Sequence, residues 1–248
     1  VGNQEIGDYK FVSNVEPRTV IINGNQATSY VITNMSNPDL KWETTTSYNV
    51  GFNVGLFKSR LTLTADFYSK KTTDLLLDVP VEQVTGFSTV LRNVGSVTNK
   101  GFELEAEGVL LETKKLKWTL GANIAHNKNE VTSLGSSDYF IPSFSAAATL
   151  TYINPLIVKV GQPLGTFYGY KFKGIIQSDE DIASLPTQTI STVEAGNPKF
   201  EDVNNDGVVN EQDRVVLGNI QPKFTYGFNT KLNVSQWDFF VSLSGSYG

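Results

Sequence analysis

The residues best suited to chemistry lie late in the chain, where Asp202, Asn204, Asp206, Gly207 and Asp213 carry the spacing of a calcium loop. A hard cation would take oxygens from positions one, three and five of such a loop and a carboxylate from position twelve. Gly207 at the sixth position allows the sharp turn, Val208 offers its carbonyl at the seventh, and Asn210 at the ninth binds directly or through water. Asp213 stands where a longer Glu is usual, which shortens bidentate reach and lowers affinity. The same composition also describes an Asx-rich loop held by its own side-chain hydrogen bonds. Ca2+ is the one cofactor these residues suggest, and its task would be to order the loop rather than to catalyse.

Three further groups invite a chemical reading. Glu103, Glu105 and Glu107 alternate along a strand, and same-face neighbours lie about 6.7 Å apart, within the range of paired glycosidase carboxylates. Catalytic carboxylates, however, flank a bond from opposite sides in different environments, so a charged row facing water is the better account and no catalytic residue is assigned. His126, the only histidine, has no second His for a zinc site and no nucleophile-elbow motif beside it. Tyr139, Phe140, Phe144 and Tyr152 are aromatic platforms on which a sugar could stack, and they form the candidate substrate-binding set.

The elements that must position these groups are β-strands. The 248 residues include 20 Lys+Arg against 25 Asp+Glu, a net charge of -5, which excludes a general nucleic-acid binder. With no Cys there is no disulfide frame, zinc–thiolate site or thiol nucleophile. No run approaches the roughly 18 to 20 apolar residues of a membrane-spanning helix, but a transmembrane barrel strand needs only about 9 to 11 alternating residues.

Period-two alternation recurs in three pairs. Trp42 to Leu56 places Tyr48, Val50, Phe52 and Val54 on one face, and Leu61 to Phe67 returns. Phe102 to Gly108 is followed by Leu116 to Ile124, and Phe224 to Val234 by Trp237 to Tyr247. The runs of about 11 to 14 residues exceed ordinary strands. Their polar faces are rich in Thr, Asn, Gly and Ser, and Trp42, Phe67, Phe102, Trp118, Phe224 and Trp237 cluster toward the ends as in an interfacial girdle. An all-β, incomplete antiparallel transmembrane barrel segment follows, with bacterial outer membrane as its location and outer-membrane lipid as its surroundings.

Short links at 57–60, 112–115 and 234–236 mark the periplasmic end and long ones the extracellular side. Residues 1–38 are expected as an extracellular loop and lead-in, and 39–129 as two barrel hairpins with an extracellular loop at 72–98. A long extracellular insertion at 130–222 carries the loop 202–213, and 223–248 forms a third, truncated hairpin. Strand direction requires an even number of wall crossings between Lys128 and Phe224; the simplest number is zero. Phe167–Ile176 is then a local strand, and Ser178-Asp179-Glu180-Asp181 resembles a helix start. Six strands cannot close a membrane barrel, so the chain is read as a fragment.

Several motifs also match a family. Asn37-Pro38-Asp39-Leu40-Lys41-Trp42-Glu43, Asn93-Val94-Gly95 with Asn99-Lys100-Gly101-Phe102-Glu103, Gly161-Gln162-Pro163-Leu164-Gly165, Asp202-Val203-Asn204-Asn205-Asp206-Gly207, and Gly218-Asn219 with Pro222-Lys223-Phe224-Thr225-Tyr226-Gly227 resemble SusC/RagA-type TonB-dependent outer-membrane transporters. The resemblance implies a plugged barrel of 22 strands, of which this chain is part of the C-terminal half. It also implies a SusD-like surface lipoprotein as lid, energy from TonB through the plug region, and import of oligosaccharides or peptides. The competing readings are a soluble calcium-stabilised β-sandwich adhesin or carbohydrate-binding module, and, behind it, a glycoside hydrolase.

Overall fold

The structure is a computed structural model that describes residues 11–142, 155–178 and 182–248. Two compact units divide it, Val1–Phe140 with Gln221–Gly248, and Ile141–Ile220.

In the first unit, β1 (Val15–Ile22) and β2 (Asn25–Ile32) form a hairpin over Asn23 and Gly24, whose φ values of 51° and 80° make the left-handed pair that a tight two-residue turn needs. Then come β3 (Thr44–Leu56), β4 (Leu61–Pro80), β5 (Thr89–Glu112), β6 (Leu116–Leu134) and the two-residue β7 (Tyr139–Phe140). The second unit holds β8 (Leu156–Lys159), β9 (Thr166–Tyr170), β10 (Phe172–Ile175), β11 (Thr187–Gln188), β12 (Pro198–Phe200), β13 (Val208–Val209) and β14 (Arg214–Asn219). The chain returns to the first unit with β15 (Phe224–Val234) and β16 (Trp237–Tyr247).

Six long strands form one antiparallel sheet in the order β16-β15-β6-β5-β4-β3. β15 pairs directly with β6, Phe228 opposite Ala122, although some ninety residues separate the two strands in sequence. In line with the expected zero crossings, no described strand between Ile141 and Ile220 enters this sheet. A β-sandwich would need two sheets face to face, and the six long strands lie in one.

The strands outrun their expected length. β4 has 20 residues, β5 24 and β6 19. At about 3.3 Å per residue β5 spans roughly 80 Å, far more than a hydrocarbon core of about 30 Å requires. The stretch 72–98, expected as a loop, is therefore mostly strand, and only 81–88 connects β4 to β5. Register shifts between Thr72 and Leu76, with Asp74 left-handed at φ 57°, change the face that successive residues present, and so erase the alternation there. The buried apolar residues of this unit, Leu76, Val90, Val97, Val131 and Leu134, gather in these extensions.

In the second unit β9 pairs antiparallel with β8 and β14, β10 with β12, and β11 runs parallel to β13. The expected single strand Phe167–Ile176 is broken at Lys171 into β9 and β10. Of the expected helix start, Asp179 to Asp181 lie outside the described residues; a single 3-10 turn occupies Ile182–Ser184. Ile157, Ile176 and Val209 form the buried apolar core here, joined by Thr166 and Asp213.

Candidate functional site

Pairing register assigns every wall residue to a face, because directly opposite residues share one. One face carries the row Leu63–Ala106–Ala122–Phe228, then Ala65–Leu104–Ile124–Tyr226, then Phe67–Phe102–His126. Most of its large apolar side chains have no cover: Phe52 is 59% exposed, Phe239 56% and Leu243 62%. So continuous an apolar face is not stable in water, whereas hydrocarbon solvates it.

Aromatic bands bound that face. Phe67, Phe102, His126 and Phe224 follow one another across four strands with ring centroids 6.4, 5.8 and 5.2 Å apart. His126 is fixed in the band by a 2.5 Å hydrogen bond between Nδ1 and the Lys223 carbonyl oxygen. Toward the short turns, Trp118 donates its indole N–H to Thr230 Oγ1 at 2.8 Å, which satisfies two polar groups on an otherwise apolar face. Eight positions separate His126 from Trp118, about 26 Å along the strand and about 20 Å in height at the usual tilt. Trp237, beside Val234 in register, continues the lower band. Trp42 does not belong to either. It precedes Thr44, which pairs with Thr73, and so lies eight positions past Val50, the residue opposite Phe67.

The other face is polar. Asp66 pairs with Glu103, Thr64 with Glu105 and Thr62 with Glu107, so the three glutamates form a row along one face. A row of like carboxylates on one strand face suits a wet surface. Asn99, Asn127 and Asn129 form a ladder, with Asn129 Nδ2 donating to Asn99 Oδ1 at 2.8 Å, and Tyr68 donates its hydroxyl to Asn127 Oδ1 at 3.1 Å. Tyr68 lies over Gly101, whose missing Cβ makes room for the ring.

Two motifs distant in sequence are tied together above the wall. Asn93 Oδ1 accepts the Lys41 N–H at 2.7 Å, and its Nδ2 donates to the carbonyls of Lys41 and Asp74, each at 2.8 Å. Asn37 Nδ2 donates to Leu91 O at 2.9 Å, and Glu43 Oε1 accepts from Leu76 N at 3.0 Å. Asn37, Glu43 and Asn93 stand in the family-like motifs, but no local pattern signals a clasp between segments 33 to 54 residues apart.

The loop 202–213 folds around its own amides. Asp202 accepts from Asp206 N and Gly207 N at 3.2 and 2.8 Å, Asn204 Oδ1 from Asp206 N at 2.9 Å, and Asp206 Oδ1 from Val208 N at 2.8 Å. Asn210 Oδ1 accepts from Gln212 N at 2.8 Å, while its Nδ2 donates to Val208 O at 3.3 Å. Asp213, the twelfth residue of the motif, is engaged by backbone amides. It is fully buried, with Oδ1 accepting from Val203 N and Asn204 N at 2.8 and 3.3 Å and Oδ2 from Asn210 N at 2.8 Å. Those bonds, chiefly the one from Asn210, hold its carboxyl below the usual carboxylate range. Among the described residues no three His, Cys, Asp or Glu side chains are placed to hold a metal together. As folded, the loop is an Asx-latched turn, and Asp213 closes it with a capping box around Glu211–Asp213.

Of the candidate substrate residues, Tyr139 is exposed and Phe140 half-buried in β7, while Phe144 and Tyr152 lie outside the described residues. The structure brings other groups together instead. The Arg214 guanidinium sits 4.5 Å from the centre of the Tyr168 ring and donates to the Tyr168 carbonyl at 3.0 Å. Glu201 lies between Lys171 Nζ at 2.7 Å and Lys173 Nζ at 3.3 Å, and their hydrogen bonds, Lys171 first, lower its pKa. Burial raises that of Tyr170.

A single antiparallel layer, greasy outside and wet inside, with long strands joined by short turns at one end, is the wall of an outer-membrane β-barrel. Within that class the chain belongs to the TonB dependent receptor-like β-barrel family, whose model matches residues 8–244. TonB-dependent receptor P26 of Formosa agariphila is 33% identical over 247 residues, covering 100% of this chain and 24% of that protein. TonB-dependent receptor SusC of Bacteroides thetaiotaomicron is 29% identical over 214 residues, covering 85% of this chain and 20% of that one. The RagAB peptide importer in its closed-closed state superposes with a TM-score of 0.72 at 25% identity, over 99% of this chain and 25% of that one. The chain thus spans about a quarter of the length of these relatives. The barrel is of the SusC/RagA type.

Proposed function

We propose that the chain supplies wall strands to a TonB-dependent importer of oligosaccharides or peptides that works with a SusD-like surface lipoprotein, with the insertion 141–220 on the extracellular side. The observation that carries this reading is the direct β6–β15 pairing, which keeps the wall continuous although a separate folded unit interrupts the chain between the two strands. Short turns at the opposite end match periplasmic connections. The relative solved as a peptide importer supports peptides as one cargo class, and the polar Asn-rich inner face suits either class.

Two measurements on the full-length protein in its own bacterium test this. A membrane-impermeant maleimide should label Val203→Cys in intact cells and Lys58→Cys only after lysis. Deletion of the gene should abolish growth on a defined oligosaccharide or peptide mixture as sole nutrient. Equal labelling of both cysteines would overturn the orientation, and unchanged growth on every such mixture would overturn the import role.

A further inference from the structure

We propose that the outer face of the wall, immediately past the upper aromatic band, binds the phosphate-bearing headgroup of an outer-leaflet lipid through Lys71, Lys100 and Lys128. The inference rests on the barrel reading and adds a ligand site to its lipid-facing surface.

The register places the lysines. Beyond Phe67–Phe102–His126 the next row on the same face is Tyr48–Ser69–Lys100–Lys128, and the row after it is Thr46–Lys71–Thr98–Glu130. No bulge interrupts these rows, so Lys100 and Lys128 stand directly opposite each other on one face. Like charges so placed destabilise a sheet unless an anion lies between them. Glu130 answers only part of this, with Lys128 Nζ 2.5 Å from its carboxylate. Among the described residues Lys71 and Lys100 make no ion pair within 4.0 Å, and Lys100 shares Glu130 only at longer range. Three lysines against one glutamate leave a local excess of positive charge on a chain whose net charge is -5.

Height selects the partner. The aromatic band marks the hydrocarbon edge, and two to four residues along a tilted strand rise about 5 to 10 Å above it. Headgroups occupy about 5 to 8 Å beyond the core on each side of a bilayer. Lysine stems can lie along the aromatic band while their ammonium groups reach the headgroup layer. The exposed Tyr48 hydroxyl shares the row and offers a further donor. Because the short turns lie at the other end, the layer reached is the outer leaflet, and an anion anchored there is a lipid phosphate. On the same strand as Lys71, Lys70 pairs with Asn99 on the polar face and serves as an internal control.

The test is native mass spectrometry of the full-length protein in neutral detergent micelles, titrated with lipid A and with the same lipid after enzymatic removal of phosphate. Wild type should retain the phosphorylated form preferentially, and less so as salt rises. Lys100→Gln should weaken that retention about fivefold, and Lys100→Gln with Lys128→Gln more than tenfold. Lys70→Gln should leave it unchanged. In lipid-free micelles Lys100→Gln should melt no lower than wild type, since it removes a repulsion, which shows that the variant is folded. Equal retention of both lipid forms, or Lys100→Gln retaining lipid A as wild type does, would overturn the proposal. So would inorganic phosphate displacing lipid A at equal concentration, since the site would then take a free anion. A wild-type protein that fails to migrate as a folded, heat-modifiable barrel would instead sink the barrel reading.

Discussion

The side-chain amide of Asn93 closes a ring of two hydrogen bonds with the backbone of Lys41, accepting its N–H at 2.7 Å and donating to its carbonyl at 2.8 Å. A side chain here imitates a neighbouring strand. It satisfies both backbone groups of a residue that belongs to no strand, and its third bond, to Asp74 O, reaches the left-handed residue of the β4 bulge. The lead-in to β3 is thereby pinned to the register shift in the adjoining hairpin.

Asn93→Leu keeps the volume and removes all three bonds, and should destabilise this region by about 2 kcal/mol. Limited proteolysis of the folded protein should show new cleavage within 37–43, with the wall strands still protected. Unchanged cleavage would mean that Asn37 and Glu43 suffice to hold the segment.

Asp213 should control the order of the loop 202–213. With Asp213→Ala, exchange protection of the Val203, Asn204 and Asn210 amides should fall at least about tenfold, and unchanged protection would remove its role in the loop. The pH dependence has a definite sign. Because the folded pKa is depressed, the stabilisation is present above the ordinary carboxylate range and is lost as pH falls below it, through the lowered folded value. A loss of wild-type protection on adding a chelator would show that the same loop also holds calcium.

Trp118 and Trp237 should be quenched by lipids carrying a quencher near the headgroup, and Trp42 should not. Single-tryptophan variants of the refolded protein measure this by fluorescence. Quenching of Trp42 equal to that of Trp118 would contradict the register that carries Trp42 beyond the band.

Gly101→Val should cost several kcal/mol, because its Cβ would fall against the Tyr68 ring and the His126 carbonyl oxygen, a backbone atom held in the β5–β6 ladder. Gly24→Ala, at φ 80° with open space around it, carries only the backbone penalty of about 1 kcal/mol. Heat-modifiable gel migration after refolding should rank Gly101→Val far below Gly24→Ala; equal yields would remove the close-packing argument.

Alternation in the chain was enough to read the strands of the wall, their two faces and the three short turns, because solvent on one side and hydrocarbon on the other impose a period of two that local order preserves. Direction reversal at each turn was enough to keep 141–220 out of the sheet. The far halves of β4, β5 and β6 were illegible, since bulges near Asp74 and between Ser96 and Val97 shift which face each residue presents. The acidic loop was legible as a motif, but spacing only places oxygens; that the amides of Val203, Asn204 and Asn210 converge on Asp213 is a matter of the fold. The clasp of Asn93 on Lys41 and the facing of Lys100 by Lys128 depend likewise on pairing between segments distant in sequence, a relation that no local pattern contains and that tertiary structure alone supplies.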